Sequence, residues 1–295
     1  MFEHLSMAHP RPANAATNDH QASAFATTVY RADWIHLAVT LPPHSIDFLY
    51  TDPPFNTGLA QTDRAGSFAD RWPTTDLYVA WLEDRLRATV PALKPSAVVI
   101  LHLDWRTSHH ARLLLDRLLG PDRFVNHLVW SYGLGGSSNR RFARKHDDLL
   151  VYCLNPDLYY FNPPLVPATS ARLKGKLKKS TDVLDIPSLN NMARERTGYP
   201  TQKPLELLTL LVNAFCPPDG TVLDPCCGSG TTLVAAATLG RGFIGGDVSA
   251  DAVQLTKTRL HAVERIRAPP RPSAIVDTSI ETKQPTTTRT EKSRS

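Results

Sequence analysis

The chain has 295 residues, 42% hydrophobic and 21% charged; this suits one large or two small folded domains, and no apolar run approaches the ~20 residues of a membrane span. A formal charge of +5 favours an anionic partner but equally fits an ordinary basic enzyme. Cys153, Cys216, Cys226 and Cys227 show no paired C-x-x-C spacing, so neither a zinc site nor a disulfide framework is expected, and they read as reduced thiols of a cytoplasmic protein.

Residues 1–25 are polar and lack an apolar signal core. They and residues 268–295 are expected to be flexible tails, too poor in apolar surface to offset the entropy of ordering. Between them lies one expected domain, 26–267. Residues 45–51 read as a buried strand. Residues 75–90 read as an amphipathic helix with Leu77, Trp81, Leu82, Leu86 and Val90 towards one side, ended by Pro91. A strand over 97–103, a helix over 107–119 closed by Gly120-Pro121, and strands over 124–132 and 148–154 follow. The rhythm lapses over 156–198. It resumes with a helix over Leu205–Phe215, a strand over Thr221–Asp224, a helix over 231–239, a strand over Gly242–Asp247 and a helix over 250–266. Such alternation implies an α/β sheet covered by helices.

The stretch VLDPCCGSGTTLVAAATLGRGFIGGDVS, 222–249, combines a strand, a glycine turn, a helix, a second strand and an acid. Gly228 and Gly230 permit a tight turn and close approach of a ligand. Thr231 and Thr232 open a helix whose free N–H groups suit an anion. Asp247 ends the next strand, where a carboxylate can accept both hydroxyls of a ribose. A dinucleotide is the rival, but the third glycine of its fingerprint is absent: Leu233 follows Thr232. Asp224, ahead of the glycines, would repel a pyrophosphate yet hold an ammonium. Ammonium, carboxylate and ribose together describe S-adenosylmethionine.

The stretch TDPPFNTG, 51–58, also follows a strand. Ligand sites in such sheets gather beyond the carboxyl ends of strands, so Asp52 and the glycine turn can share one cleft. The chemistry that fits is methyl transfer to a planar amino nitrogen. Asp52 would accept one N–H and the Pro53 carbonyl the other, proline fixing that carbonyl in advance. Phe55 would stack on a base flipped out of its duplex.

TDPPFNTG, HDDLLVYC, YPTQKPLELL, LDPCCGSGTT and GGDVS together resemble the amino-group DNA methyltransferases, over roughly residues 29–265. Their order, catalytic motif first, resembles the permuted beta group. The resemblance implies a Rossmann-like mixed, mostly parallel sheet with helices on both faces, S-adenosylmethionine as cofactor and double-stranded DNA as substrate. It places Asp52, Pro53, Pro54 and Phe55 at the target amine. Asp224, Gly228, Gly230, Thr231 and Thr232 would surround the methionine part of the cofactor, and Asp247 the ribose. Thr201 and Lys203 would stand beside the cofactor, Lys203 near its carboxylate or else as a solvated lysine at a helix start. No metal is implied. Cys226 stands where the family often has Phe. Asp52 implies adenine N6; cytosine N4 is the close alternative, and an inactive DNA-binding regulator the alternative of another class. The family leaves room for a homodimer and for a separate restriction endonuclease.

Two segments are expected to meet phosphates: SYGLGGSSNRRFARKHDD, with Arg140, Arg141, Arg144 and Lys145, and ARLKGKLKKS, with Lys174, Lys176, Lys178 and Lys179. The region 156–198 stands where the family often carries a small target-recognition insertion. Residues 60–72 read as a mobile loop, either a lid over the flipped base or plain surface. His102 and Asp104 read as a satisfied strand-end pair or as neighbours of the cleft.

Overall fold

The computed structural model describes residues 27–63, 66–133, 137–168, 172, 174–190 and 192–267; the expected tails, 1–25 and 268–295, lie outside the described residues. The chain enters through β1 (Thr27–Arg31) and the short α1 (Trp34–Ala38), whose N-cap Asp33 accepts from the Ile35 N–H. β2 (Ile46–Thr51) is buried along its whole length and leads to the hairpin β3 (Leu59–Asp63) and β4 (Gly66–Asp70). There follow α2 (Thr75–Thr89), β5 (Leu93–Leu103), α3 (Ser108–Leu119), β6 (Phe124–Ser131) and β7 (His146–Cys153). The irregular region holds β8 (Leu165–Pro167), β9 (Leu177–Lys179) and β10 (Val183–Asp185). The last stretch is α4 (Leu205–Phe215), β11 (Thr221–Asp224), α5 (Thr231–Thr238), β12 (Gly242–Asp247) and α6 (Ala250–Arg267).

The main sheet runs β1-β12-β11-β2-β5-β7-β6-β10. β7 pairs antiparallel with both β5 and β6, and every other pairing is parallel. All strands of this sheet but β7 therefore point their carboxyl ends to one edge. One core joins α1, α2 and α3 to one face through Trp34, Leu82 and Leu115; the other joins α4, α5 and α6 through Leu208, Leu233 and Leu260. This is the expected mixed α/β sheet with helices on both faces. The chain crosses from β2 outward through α2 and from β11 outward through α5, on opposite faces. The crevice between such diverging connections is where ligands bind in open sheets.

Three expectations need adjustment. Leu77 is 52% exposed, whereas Tyr78, Leu82, Leu86 and Thr89 form the buried stripe of α2. Tyr78 displaces Leu77 because its ring meets Trp72, with centroids 5.0 Å apart. Residues 60–72 are no open loop: β3 and β4 pair from Leu59–Asp70 to Asp63–Gly66. The region 156–198 also does more than interrupt the domain, since β10 pairs with β6 and extends the main sheet. No helix among the described residues is long and apolar enough to cross a membrane.

Candidate active site

Asp52 follows β2 and Asp224 ends β11, and these strands are neighbours with Leu223 opposite Leu49. Two acids 172 positions apart in sequence thus meet at the switch point of the sheet. Asp247 ends β12, one strand further. A cleft of about 600 Å³ opens there. Asp52, Pro53, Pro54, Phe55, Thr201, Lys203, Asp224, Gly228, Thr231, Thr232 and Asp247 all line it. Gly230 does not belong to the lining; it makes the turn possible. At φ +74° it stands in the left-handed region, and a Cβ there would come 2.5 Å from the Thr256 side chain of α6.

The glycine turn is held from three sides. Thr256 donates its hydroxyl to the Gly228 carbonyl at 3.0 Å. Arg259 reaches the Ser229 carbonyl at 2.6 Å. The Gly228 N–H donates to Asp247 Oδ2 at 2.9 Å, while the Ser249 N–H donates to Oδ1 at 2.9 Å. A carboxylate has about four acceptor sites, so Asp247 keeps capacity for a ligand hydroxyl.

The Asp-Pro-Pro-Phe stretch is shaped from the hairpin. Buried Asp70 accepts from the Asn56 N–H at 2.6 Å and the Thr57 hydroxyl at 2.5 Å. Asn56 returns the bond, accepting from the Trp72 N–H at 2.9 Å, and itself sits at φ 57°. Sequence reasoning missed Asp70 as a shaping residue, because its partners lie 13 and 14 positions away.

Electrostatics divides the acids. Burial, with added repulsion from Asp52 and Asp247, pushes the Asp224 carboxyl up to about 7, against hydrogen bonds from Thr232 and the Cys226 N–H. Burial raises Asp247 as well. Lys203 Nζ donates to Asp52 Oδ2 at 2.5 Å and lies 5.3 Å from the centroid of the Phe55 ring. The resemblance implied a place near the cofactor carboxylate, or solvent; the structure puts the ammonium on Asp52, with only 12% of the side chain exposed.

Phe55 is backed by His102, ring centroids 6.1 Å apart and 28° between planes. His102 is fully buried. Its Nδ1 meets the Tyr50 hydroxyl at 2.7 Å and its Nε2 meets Asp147 Oδ2 at 3.2 Å. Burial opposes ionisation of Asp147, but the hydrogen bond and charge of His102, the Lys203 charge and the Tyr132 hydroxyl outweigh it and hold the carboxyl below its usual range. His102 and Asp104 are therefore not paired: Asp104 binds Arg106 instead.

The lining fits an S-adenosylmethionine molecule. Asp33, Asp52, Asp70, Asp224 and Asp247 outnumber Arg31, Arg85 and Lys203 in the lining, a balance that suits an ammonium and a sulfonium. Trp34, Trp72 and Trp81, unforeseen as lining, supply an aromatic wall. Cys226 also lines the cleft. The basic residues lie outside the cleft: Arg140, Arg141, Arg144, Lys174, Lys176 and Lys179 are exposed, Lys145 and Lys178 half-buried.

The family model for N6/N4 DNA methylases matches residues 46–258 of this chain. The chain belongs to the N6/N4 DNA methylase family. Similar proteins include the type II methyltransferase M.ScaI of Streptomyces caespitosus, 27% identical over 79% of this chain and 81% of that protein. DNA adenine methyltransferase YhdJ of Escherichia coli K12 is 24% identical over 82% and 85%. Among solved structures, the M1.HpyAVI–SAM complex has a TM-score of 0.56 at 22% identity, covering 79% of this chain and 98% of that one. The cytosine-N4-specific PvuII DNA methyltransferase has a TM-score of 0.58 at 16% identity, covering 82% and 93%. Those two likenesses show the fold. In this DNA methylase the matched span contains both the Asp-Pro-Pro-Phe stretch and the glycine turn, and it ends inside α6.

Proposed function

We propose that this DNA methylase uses S-adenosylmethionine to methylate the exocyclic N6 of an adenine flipped out of double-stranded DNA. The supporting observation is the cleft in which Asp52, Pro53, Pro54 and Phe55 face the glycine turn, Asp224 and Asp247. Asp224, Gly228, Thr231 and Thr232 would hold the methionine part of the cofactor, and Asp247 the ribose. The cofactor supplies an electrophilic methyl group.

The remaining work belongs to the chain. An aromatic amino nitrogen is a poor nucleophile because its lone pair is delocalised into the ring. Asp52 accepts one of its N–H bonds and the Pro53 carbonyl the other. Two such acceptors favour a more tetrahedral nitrogen, and they bind it more strongly as it gains positive charge. Phe55 offsets stacking lost when the base leaves the duplex. The Asp52–Lys203 pair keeps the acceptor in place before the base arrives.

The Asp-Pro-Pro-Phe motif supports adenine, since in the family Asp is mostly associated with adenine and Ser with cytosine N4. Catalytic motif first and cofactor motif last supports the permuted beta group. The relatives called type II methyltransferases support a role beside a restriction endonuclease. Mass spectrometry of nucleosides from DNA incubated with the enzyme and labelled cofactor tests the reading. N6-methyladenine is the expected product. Label in N4-methylcytosine would reassign the base, and no label in either would remove the activity.

A further inference from the structure

Since β7 runs against its neighbours, its first residues lie at the carboxyl edge of the sheet: His146 is opposite Ser131 and Asp148 opposite Leu103. The connection from β6 to β7 therefore rises from the edge that carries Asp52. Only β5 separates β7 from β2, so the connection starts about 10 Å from the catalytic strand at ordinary strand spacing.

This connection carries Phe142, 97% exposed, the most exposed of the large hydrophobic side chains among the described residues. Arg140, Arg141 and Arg144 are exposed around it. Its following leg is anchored: the Arg144 guanidinium lies 3.3 Å from the centroid of the Trp105 ring, just beyond β5, and Lys145 Nζ donates to the Gly133 carbonyl at 2.8 Å. Arg106 reaches the same Trp105 ring at 4.9 Å. An aromatic ring is thus held out into water between cations, two residues from a fixed point.

We propose that Phe142 is a wedge that enters the base stack where the target nucleotide has left it. This rests on the reading of the cleft as a site for a flipped base. The flanking arginines engage phosphates on either side, and the ring replaces part of the missing stacking, as apolar side chains do when inserted between base steps. Neither contact needs a particular base, so the wedge serves flipping and leaves sequence choice to other residues.

The test compares wild type, Phe142→Ala and Phe142→Trp on a short duplex bearing the methylated site, and on the same duplex with an abasic position opposite the target. Single-turnover methylation and the fluorescence of 2-aminopurine at the target are read together, with calorimetric cofactor affinity as the control. On the paired duplex Phe142→Ala should lose on the order of tenfold in rate and most of the fluorescence rise. On the abasic duplex, where extrusion is already easy, it should approach wild type, and Phe142→Trp should retain activity on both. Equal rates for Phe142→Ala and wild type on the paired duplex, or equal losses on both duplexes, would overturn the wedge. A change in oligomeric state on sedimentation, without a duplex-dependent loss, would reassign the ring to a contact between copies. If wild type methylates neither duplex, the flipped-base reading itself falls.

Discussion

At the scale of single residues, the cleft is defined by how differently its carboxylates are treated. Asp224, pushed up to about 7, is half protonated near neutrality when no cation is bound. A cationic ligand favours the carboxylate, so binding must lower that value and expel a proton. Cofactor affinity should therefore weaken as pH falls through about 7, and calorimetry in buffers of different ionisation enthalpy should register proton release there. Flat affinity across that range would remove Asp224 from contact with the ammonium. Lys203 makes a second discrimination. Its bond to Asp52 means that Lys203→Met should lower the methylation rate on the order of tenfold, the worth of a charge-assisted hydrogen bond, while cofactor affinity stays close to wild type. Loss of cofactor affinity with an unchanged rate would return Lys203 to the cofactor carboxylate. The identities of these residues were legible because Asp-Pro-Pro-Phe and the glycine turn are local strings. The Lys203 pairing was not, because it spans 151 positions and depends on which strands lie side by side.

At the scale of elements, legibility followed length and periodicity. β11, β12 and α4 have the expected bounds, each marked by a turn residue or a clean apolar run. α1 is five residues long and β1 buries only Val29, so neither offers a period to read. The β3–β4 hairpin was hidden by a polar sequence, and its anchor is Asp70. Removing that anchor with Asp70→Ala takes the acceptor from the part-buried Asn56 N–H, at about 1–3 kcal/mol. The melting temperature should fall and methylation should fall with it, because Asn56 and Thr57 directly follow the catalytic stretch. Unchanged methylation would show that the hairpin does not shape the site. α5 depends in the same way on a close approach. Gly230→Ala would need a strained backbone and a displaced Thr256 at once, so thermal stability should drop by roughly 1–2 kcal/mol or more in differential scanning calorimetry.

At the scale of the whole molecule, one edge of the sheet collects the function. The cleft opens at the ends of β2, β11 and β12, and the basic β6–β7 connection rises beside it. A phosphate-binding surface there should make DNA affinity fall steeply with salt, and neutralising Arg140, Arg141 and Arg144 together should reduce the log–log salt slope by about 1 for each phosphate no longer neutralised. The fold class was legible from strand–helix alternation. The reversal of β7 and the addition of β10 were not, since neither pairing direction nor sheet order is written in any local pattern. The most direct test of the site is Asp52→Ala, measured by single-turnover methylation beside a cofactor titration. If the carboxylate accepts the target amine, its hydrogen bond strengthens towards the transition state, and the rate should fall roughly 10²–10³-fold or more while cofactor affinity stays nearly intact. A variant that methylates at close to the wild-type rate would show that Asp-Pro-Pro-Phe is only a turn at the end of β2.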